Sequence, residues 1–587
     1  MLVNSRNVVV RTLSILLACC WSMGSFARQA PNIVLIVADD VGYSDFGAFG
    51  GEIDTPNIDK LAAEGIRFSN FHTASSCAPT RAMLMTGVDN HIAGIGSMVE
   101  IMPLSHRGKP GYKGVLNDCV DTIASLVRAN GYHTSVAGKW HLGYGESNLP
   151  PARGFDQSVI QADSGSDNFE MRPYLPMKPE AYWFENGERM TSLTEDFYSS
   201  AFFVDKTIEY IGHAQEQGKP FFAYVAFQAN HTPLQAPASF VDNYRGRYTE
   251  GWARVHERRL DKLRDIGLIS KTAQPGELFS QDEWDGLSEE EQYFEARRMQ
   301  AYAGMATAMD YEIGRLVAYL RDNGLYEDTV FLIFSDNGAV ATEPYDSAPV
   351  RYWLERRYTR EVETLGEKGS WVAAGRRWGL VSNTPLSGYK FYAWEGGVRV
   401  PLILSGPPSA VVPGELHHDF VYVTDLAPTI LEIAGVDPLQ ARQKMTGRSL
   451  IGLIDSGRAS SQGSREAIGY EFSGNSALYS GDYKIVRGQP PEGDRRWRLY
   501  NISEDPGETI ELSNRMPELF EKLQQEYAAY VENTGVLPMP ENYTVEKQAI
   551  INAAVFFYAP MYLPYLFGVL ALVLVFYAIR RHRCAAY

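Results

Sequence analysis

The sequence predicts an α/β protein: a large central sheet with helices on both sides, then a smaller C-terminal α+β domain and a membrane-spanning helix. Three observations lead there. Short apolar runs recur, and each breaks off into polar residues. Ile33-Val34-Leu35-Ile36-Val37-Ala38 runs into Asp39-Asp40, residues 221–227 into Gln228-Ala229-Asn230-His231, and Val330-Phe331-Leu332-Ile333-Phe334 into Ser335-Asp336-Asn337-Gly338. Runs of this length suit strands buried on both faces. Helical stretches lie between them, and that alternation means a sheet covered on both sides. Finally, residues 553–579 carry no formal charge, and a spanning helix needs about 20 apolar residues.

At 587 residues the chain is too long for one ordinary domain. Hydrophobic residues make 45% and charged residues 21%, which excludes a disordered, collagenous or simple coiled-coil chain. A mean hydropathy of −0.23 excludes a polytopic membrane protein. The net charge is −17, with no long basic run in the body. An acidic body repels phosphate backbones, so no nucleic acid partner is expected.

The elements follow in chain order. Residues 1–27 carry Arg6 and Arg11, an apolar run over 13–21, and Ser25 and Ala27 at the small positions of a cleavage site. This reads as a secretory signal peptide. A short membrane anchor is one alternative. A lipoprotein site at Leu16-Leu17-Ala18-Cys19 is another, which Leu17 fits poorly. Residues 28–436 form the main domain. Within it, a helix over 122–130 ends at Gly131. Another over 288–323 opens with the capping box Ser288/Glu291 and closes at Gly324. The charged stretch 244–291 reads as a surface insertion. After Val436 the pattern changes to short strands at 470–472, 477–479, 483–486 and 497–501, then a helix over 517–533. This is the smaller domain, 437–540.

Residues 541–552 read as a linker to the span over 553–579. Pro560 and Pro564 interrupt only the start of the span. Tyr558, Tyr562 and Tyr565 suit one interface. Arg580, Arg581 and Arg583 in the tail, 580–587, mark the cytoplasmic side. The body is therefore expected outside the cytoplasm, at the periplasmic face of the inner membrane in a bacterium. A buried C-terminal hairpin helix is the alternative.

In open α/β sheets ligands gather at the carboxyl ends of strands. Those ends carry Asp39, Asp40, His231, Asp336 and Asn337. Of five cysteines, only Cys77 and Cys119 lie between the leader and the tail, so the body is no disulfide framework. Cys119 reads as a small buried hydrophobe. Cys77 opens Cys77-Ala78-Pro79-Thr80-Arg81, with Leu84-Met85-Thr86-Gly87 following. Pro79 suits a first helical turn. Cys77 then sits at a helix N-terminus, where the dipole lowers thiol pKa and favours anions. Arg81, one turn on, can fork onto a tetrahedral oxyanion. The remaining histidines, among them His72 and His91, read as structural or surface residues.

This motif resembles the first sulfatase signature, and Gly131-Tyr132-His133-Thr134-Ser135-Val136-Ala137-Gly138-Lys139-Trp140-His141 resembles the second. The likeness runs from about residue 31 to 533 and is nearest the bacterial arylsulfatases. It implies an alkaline-phosphatase-like fold with a large mixed sheet. It implies formylglycine-dependent chemistry, with Cys77 converted by a formylglycine-generating enzyme. Asp39, Asp40, Asp336 and Asn337, with the oxygen of modified Cys77, would bind one divalent cation, calcium by resemblance. Hard oxygen donors suit calcium better than zinc.

The resemblance also assigns roles. A hydroxyl of the hydrated aldehyde attacks sulfur. The cation, Arg81, Lys139 and Lys390 neutralise the sulfuryl oxygens. His231, with Lys390 assisting, protonates the leaving oxygen. His141 then takes a proton from the second hydroxyl and sulfate departs. Lys390 is placed by Gly388-Tyr389-Lys390, just before Glu395-Gly396-Gly397. The implied activity is hydrolysis of sulfate esters of small molecules, glycans or lipids. The alternatives are a formylglycine-dependent phosphonate or phosphodiester hydrolase and a catalytically inactive anion-binding membrane protein.

Overall fold

The computed structural model describes residues 30–277, 279–407, 412–456 and 465–584. The expected signal peptide, 1–27, lies outside them. Eleven strands form the main sheet. In chain order they are β1 (Asn32–Ala38), β2 (Ile66–His72), β3 (His133–Lys139), β4 (Gln157–Gln161), β5 (Trp183–Glu185), β6 (Glu188–Arg189), β7 (Phe221–Ala226), β8 (Thr329–Ser335), β9 (Arg399–Ser405), β10 (Glu415–His417) and β11 (Val421–Tyr422). The order across the sheet is β10-β2-β9-β8-β1-β7-β3-β4-β5-β6, with β11 also on β2. β1 runs parallel to both β7 and β8, and β3 parallel to β7 and β4. β9 is antiparallel to β8 and β2. The sheet is mixed, as expected.

Successive side chains of a strand point to opposite faces. Along β1, Ile33, Leu35 and Val37 enter one core while Val34, Ile36 and Ala38 enter another. Two cores, one per face, are why the strand is apolar at every position. The second core is built on α1 (Glu289–Asp322), whose N-cap Ser288 and Glu291 form the expected capping box.

A second, antiparallel sheet has the order β12 (Ile468–Phe472), β13 (Asn475–Ser480), β14 (Tyr483–Arg487), β15 (Arg498–Asn501). One face packs on the helix Pro517–Thr534 through Leu478, Ile485, Leu499 and Leu523. The other sends Phe472, Ala477 and Val486 into the first core.

Three expectations are corrected. The charged stretch 244–291 is not a mere surface insertion. The helix Trp252–Asp265 buries Val255 and Leu263 in the second core, and its Arg259 is buried against Asp45 and Glu52. Its charge is partly interior ion pairing, which composition alone reads as solvated. Cys119 is exposed, not buried. The linker 541–552 is structured: the helix Val545–Ala553 docks on the body, where Asn552 Nδ2 donates to the carbonyls of Val99 (3.3 Å), Glu100 (3.0 Å) and Met102 (2.9 Å). That helix continues without a break, so Val545–Arg581 is one helix long and apolar enough to span a membrane.

Candidate active site

Strand register assembles the site. Ala38 pairs with Ser335, and Val37 and Gly138 both pair with Ala226. Because these strands are parallel, the residues just after them share one edge: Asp39 and Asp40 after β1, Asp336 and Asn337 after β8, Lys139 ending β3, and His231 beyond β7. Gly138 is required here. Its φ is +128°, and a Cβ would fall 1.8 Å from the Ala226 carbonyl oxygen.

The helix Cys77–Thr86 brings Cys77 and Arg81 to this edge from the other side. Cys77 Sγ lies 3.4 Å from Asp39 Oδ1, and Lys390 Nζ donates to it at 3.3 Å. Lys390 also holds both oxygens of Asp40, at 2.6 and 2.9 Å. Lys139 Nζ pairs with Asp39 Oδ2 at 2.5 Å. His231 Nδ1 donates to the Thr232 carbonyl at 2.7 Å, which leaves the Nε2 lone pair facing Asp40 at 3.7 Å.

Two expectations of the motif change. The thiol pKa is not lowered: burial pushes it up, and the charges of Asp336 and Asp39 add to that against Lys139 and Lys390. Arg81 does not offer its fork to an incoming anion. Its Nε and Nη2 donate to Asp336 Oδ2 at 2.9 and 2.7 Å, and Nη1 to the Lys139 carbonyl at 2.6 Å. It positions a carboxylate and a strand end.

The cluster suits a divalent cation. One ligand atom each from Asp39, Asp40, Cys77 and His231 lie within 4.8 Å of one another. Burial, with Asp336 and Asp40 adjacent, raises Asp39 to about 7 despite Lys139. Burial would raise Asp40 too, but Lys390 and His231 hold it well below the usual carboxylate range. Asn337 Nδ2 is spent on Asp40 Oδ1 (2.7 Å) and the Gly338 carbonyl (3.0 Å). Its Oδ1 is buried with no hydrogen-bond partner. Three carboxylates and an orphaned amide oxygen are a hard donor set of the kind calcium and magnesium take.

His141 stands apart. It borders a neighbouring cavity of about 370 Å³ with Ala78, Glu100 and Lys178. Its Nε2 is 3.7 Å from Glu100 Oε2, and its Nδ1 is buried without a hydrogen-bond partner. Burial pushes His141 down to about 4 against the opposing pull of Glu100. Glu100 is itself ion-paired with Lys178 at 3.0 Å, and Lys178 with Asp163.

Sequence reasoning missed Glu100, Lys178 and Asp163, since no motif marks them. It also missed two tyrosines. Tyr224 OH accepts from Arg81 Nη1 at 3.3 Å, and a tyrosine within an otherwise apolar strand was the available signal. Tyr470 OH, from β12, accepts from Ser75 N at 2.7 Å and ties the second sheet to the Cys77 loop. Cys77, His231 and Lys390 face a cavity of about 460 Å³, where Tyr174 stacks edge-on against His231 with ring centroids 5.1 Å apart.

Comparison with known proteins adds the following. A family model described as Sulfatase matches residues 31–436, and one described as N-sulphoglucosamine sulphohydrolase, C-terminal, matches residues 389–533. An uncharacterised sulfatase of Schizosaccharomyces pombe is 36% identical over 565 residues, covering 90% of this chain and 99% of the relative. The arylsulfatase of Klebsiella aerogenes is 36% identical over 433 residues, covering 73% and 91%. Among solved structures, Ps i-CgsB in complex with k-i-k-neocarrahexaose matches with a TM-score of 0.62 at 24% identity, covering 90% of this chain and 98% of that one.

Proposed function

The chain belongs to the sulfatase family, and from that premise we propose that it hydrolyses sulfate esters at the Cys77 cluster. One observation carries the placement. Cys77 Sγ lies 3.3 Å from Lys390 Nζ and 3.4 Å from Asp39 Oδ1, and Cys77 and Lys390 line an open cavity. Conversion of Cys77 to formylglycine would supply a hydrated aldehyde, with one hydroxyl to attack sulfur and a second to expel sulfate. Asp39, Asp40, Asp336 and Asn337 would hold a divalent cation, calcium by its oxygen donors, supplying Lewis-acid charge to the sulfuryl oxygens.

The chain's own side chains do the rest. Lys390 keeps its proton, because Asp40 outweighs the cost of burial, and sets a fixed positive charge beside the residue-77 side chain. Lys139 does the same from Asp39. His231 turns Nε2 toward the cavity, since its Nδ1–H is committed to Thr232; burial and Lys390 push its pKa down, so it would act on the leaving oxygen with a proton taken up at Nε2 during the reaction. His141, which borders the neighbouring cavity, would serve as the base toward residue 77, and Glu100, 3.7 Å from its Nε2, would stabilise the imidazolium. Arg81 acts through Asp336 as a positioning residue.

The catalytic domain is 28–436 and the smaller domain 437–540. The body is exported and held by the C-terminal helix, with its arginine tail in the cytoplasm. The exposed, apolar surface of that helix supports this.

The test is the mass of the tryptic peptide 68–81, from protein made in its own host or with a formylglycine-generating enzyme. Conversion lowers that mass by about 18 Da. A thiol under those conditions removes the proposed nucleophile. With the aldehyde present, sulfate, phosphate and phosphonate esters are compared, and sulfate is expected to be turned over fastest.

A further inference from the structure

The wall of the catalytic cavity is the root of the membrane helix. Val545, Ala549, Ile550 and Ala553 of the helix Val545–Ala553 line the same cavity as Cys77, His231 and Lys390, together with Met98 and Ile101. This wall is fixed, not draped. Asn552 holds three carbonyls of the 99–102 segment, and Tyr543 OH donates to the Ile101 carbonyl at 3.1 Å. Arg107 lies over the Phe556 ring at 3.8 Å. At 1.5 Å rise per residue, Ile550 stands only about 8 Å along the axis from Val555. From there the exposed apolar surface runs on unbroken into the helix 559–584. Ile550 is itself 53% exposed, so apolar surface passes from the catalytic cavity to the span.

Charge points the same way. Among the described residues lining the cavity, Lys390 is the one lysine or arginine. Glu343, Asp346 and Glu546 are acidic, with Glu343 paired to Arg298. A polyanionic glycan would meet repulsion with no second cation to receive it. A single sulfate on an apolar body would not.

We propose that the substrate is a sulfate monoester of a membrane-resident amphiphile, drawn from the leaflet along Ile550 and Ala553 to the catalytic cavity. The inference rests on the sulfatase and anchoring readings above. Hydrolysis adds water across the ester and breaks the sulfur–oxygen bond. The leaving oxygen takes a proton and remains in the leaflet as the alcohol. Sulfate and one proton leave to water.

The test uses the full chain with the aldehyde in place, reconstituted in phosphatidylcholine vesicles. Two secondary alkyl sulfates carry the same reacting group: a four-carbon ester in solution and an eighteen-carbon ester in the bilayer. A monosaccharide sulfate is the third substrate, and released sulfate is the readout. Presentation by the bilayer at the cavity raises the long ester's effective concentration there, and its kcat/KM is expected to be at least about tenfold higher. In Ile550→Glu the ratio of long- to short-chain activity falls by roughly tenfold. Equal kcat/KM for the two alkyl esters, or faster turnover of the monosaccharide sulfate, overturns the proposal. So does an unchanged ratio in Ile550→Glu. No hydrolysis of any of the three while a soluble aryl sulfate is turned over overturns the proposal alone, and no hydrolysis of the aryl sulfate either overturns the sulfatase reading with it.

Discussion

Lys390 Nζ sits 3.3 Å from Cys77 Sγ although 313 residues separate them. The same ammonium holds Asp40 through two bonds, so one charge serves both the nucleophile position and a cation ligand. Lys390→Met is expected to lower kcat/KM for a soluble aryl sulfate by about 10²–10³, the usual cost of one preorganised charge-stabilising donor. Lys390→Arg restores the charge but not the point geometry, and should recover little. A kcat/KM for Lys390→Met within about threefold of wild type would remove Lys390 from the chemistry.

Arg81 is buried with its guanidinium spent on Asp336 and the Lys139 carbonyl. Lysine has no fork with which to make these bonds together. Losing one member of a buried ion pair costs about 3–5 kcal/mol, and replacing the fork by a single ammonium forfeits part of that. Arg81→Lys should therefore lower the first thermal transition by several degrees as well as slowing turnover. Loss of activity at an unchanged melting temperature would mean that Arg81 acts on substrate and not on Asp336.

Asn337 offers an oxygen that nothing in the described protein uses. Calcium added to chelator-treated protein at about 100 times its Kd should stabilise the fold by about 2.7 kcal/mol. Asn337→Leu keeps the volume and removes the donor, so the calcium-dependent shift in melting temperature should shrink, while Asn337→Asp retains it. The reading is thermal and needs no turnover. A wild-type melting temperature indifferent to calcium and magnesium would end the cation assignment.

The strands and their functional ends were legible because burial on both faces leaves an uninterrupted apolar run, and a sharp switch to Asp or His marks its end. That placed Asp39, Asp40, His231, Asp336 and Asn337 on one edge before any register was known. Cys77 and Lys390 were legible only through the family motif, since nothing local says that a lysine 313 residues away will reach a thiol. The roles of Arg81 and the Cys77 thiol were misjudged for one reason. Both were read as isolated groups on a helix, whereas burial, with Asp336 beside it, pushes the thiol up, and Asp336 takes up the guanidinium. Glu100, Lys178 and the docked helix Val545–Ala553 were illegible because their partners are loops and backbone carbonyls, which leave no periodic trace.

His91 joins the two sheets' territories by charge. Its Nδ1 bonds Asp89 Oδ1 at 3.1 Å, and its Nε2 bonds Glu471 Oε2 of β12 at 2.9 Å. Tyr530 OH closes the group on Asp89 Oδ2 at 2.9 Å, and the Tyr112 ring stands edge-on to the imidazole. Burial alone would lower the imidazole pKa, but the bonds to Asp89 and Glu471 outweigh it and raise it from 6.5 to about 9. The folded value lies above the unfolded one. The stabilisation is therefore fully present below about pH 6.5 and is lost as pH rises through about 9. A shift of this size corresponds to roughly 3 kcal/mol. Melting temperatures of wild type should fall between about pH 7 and 9.5, and His91→Gln should be less stable at neutral pH with a flatter profile across that window. Parallel profiles for the two proteins would show that His91 is neutral in the fold, and that the second sheet is held to the main body by packing, by Tyr470 and by the buried Lys484–Glu395 pair instead.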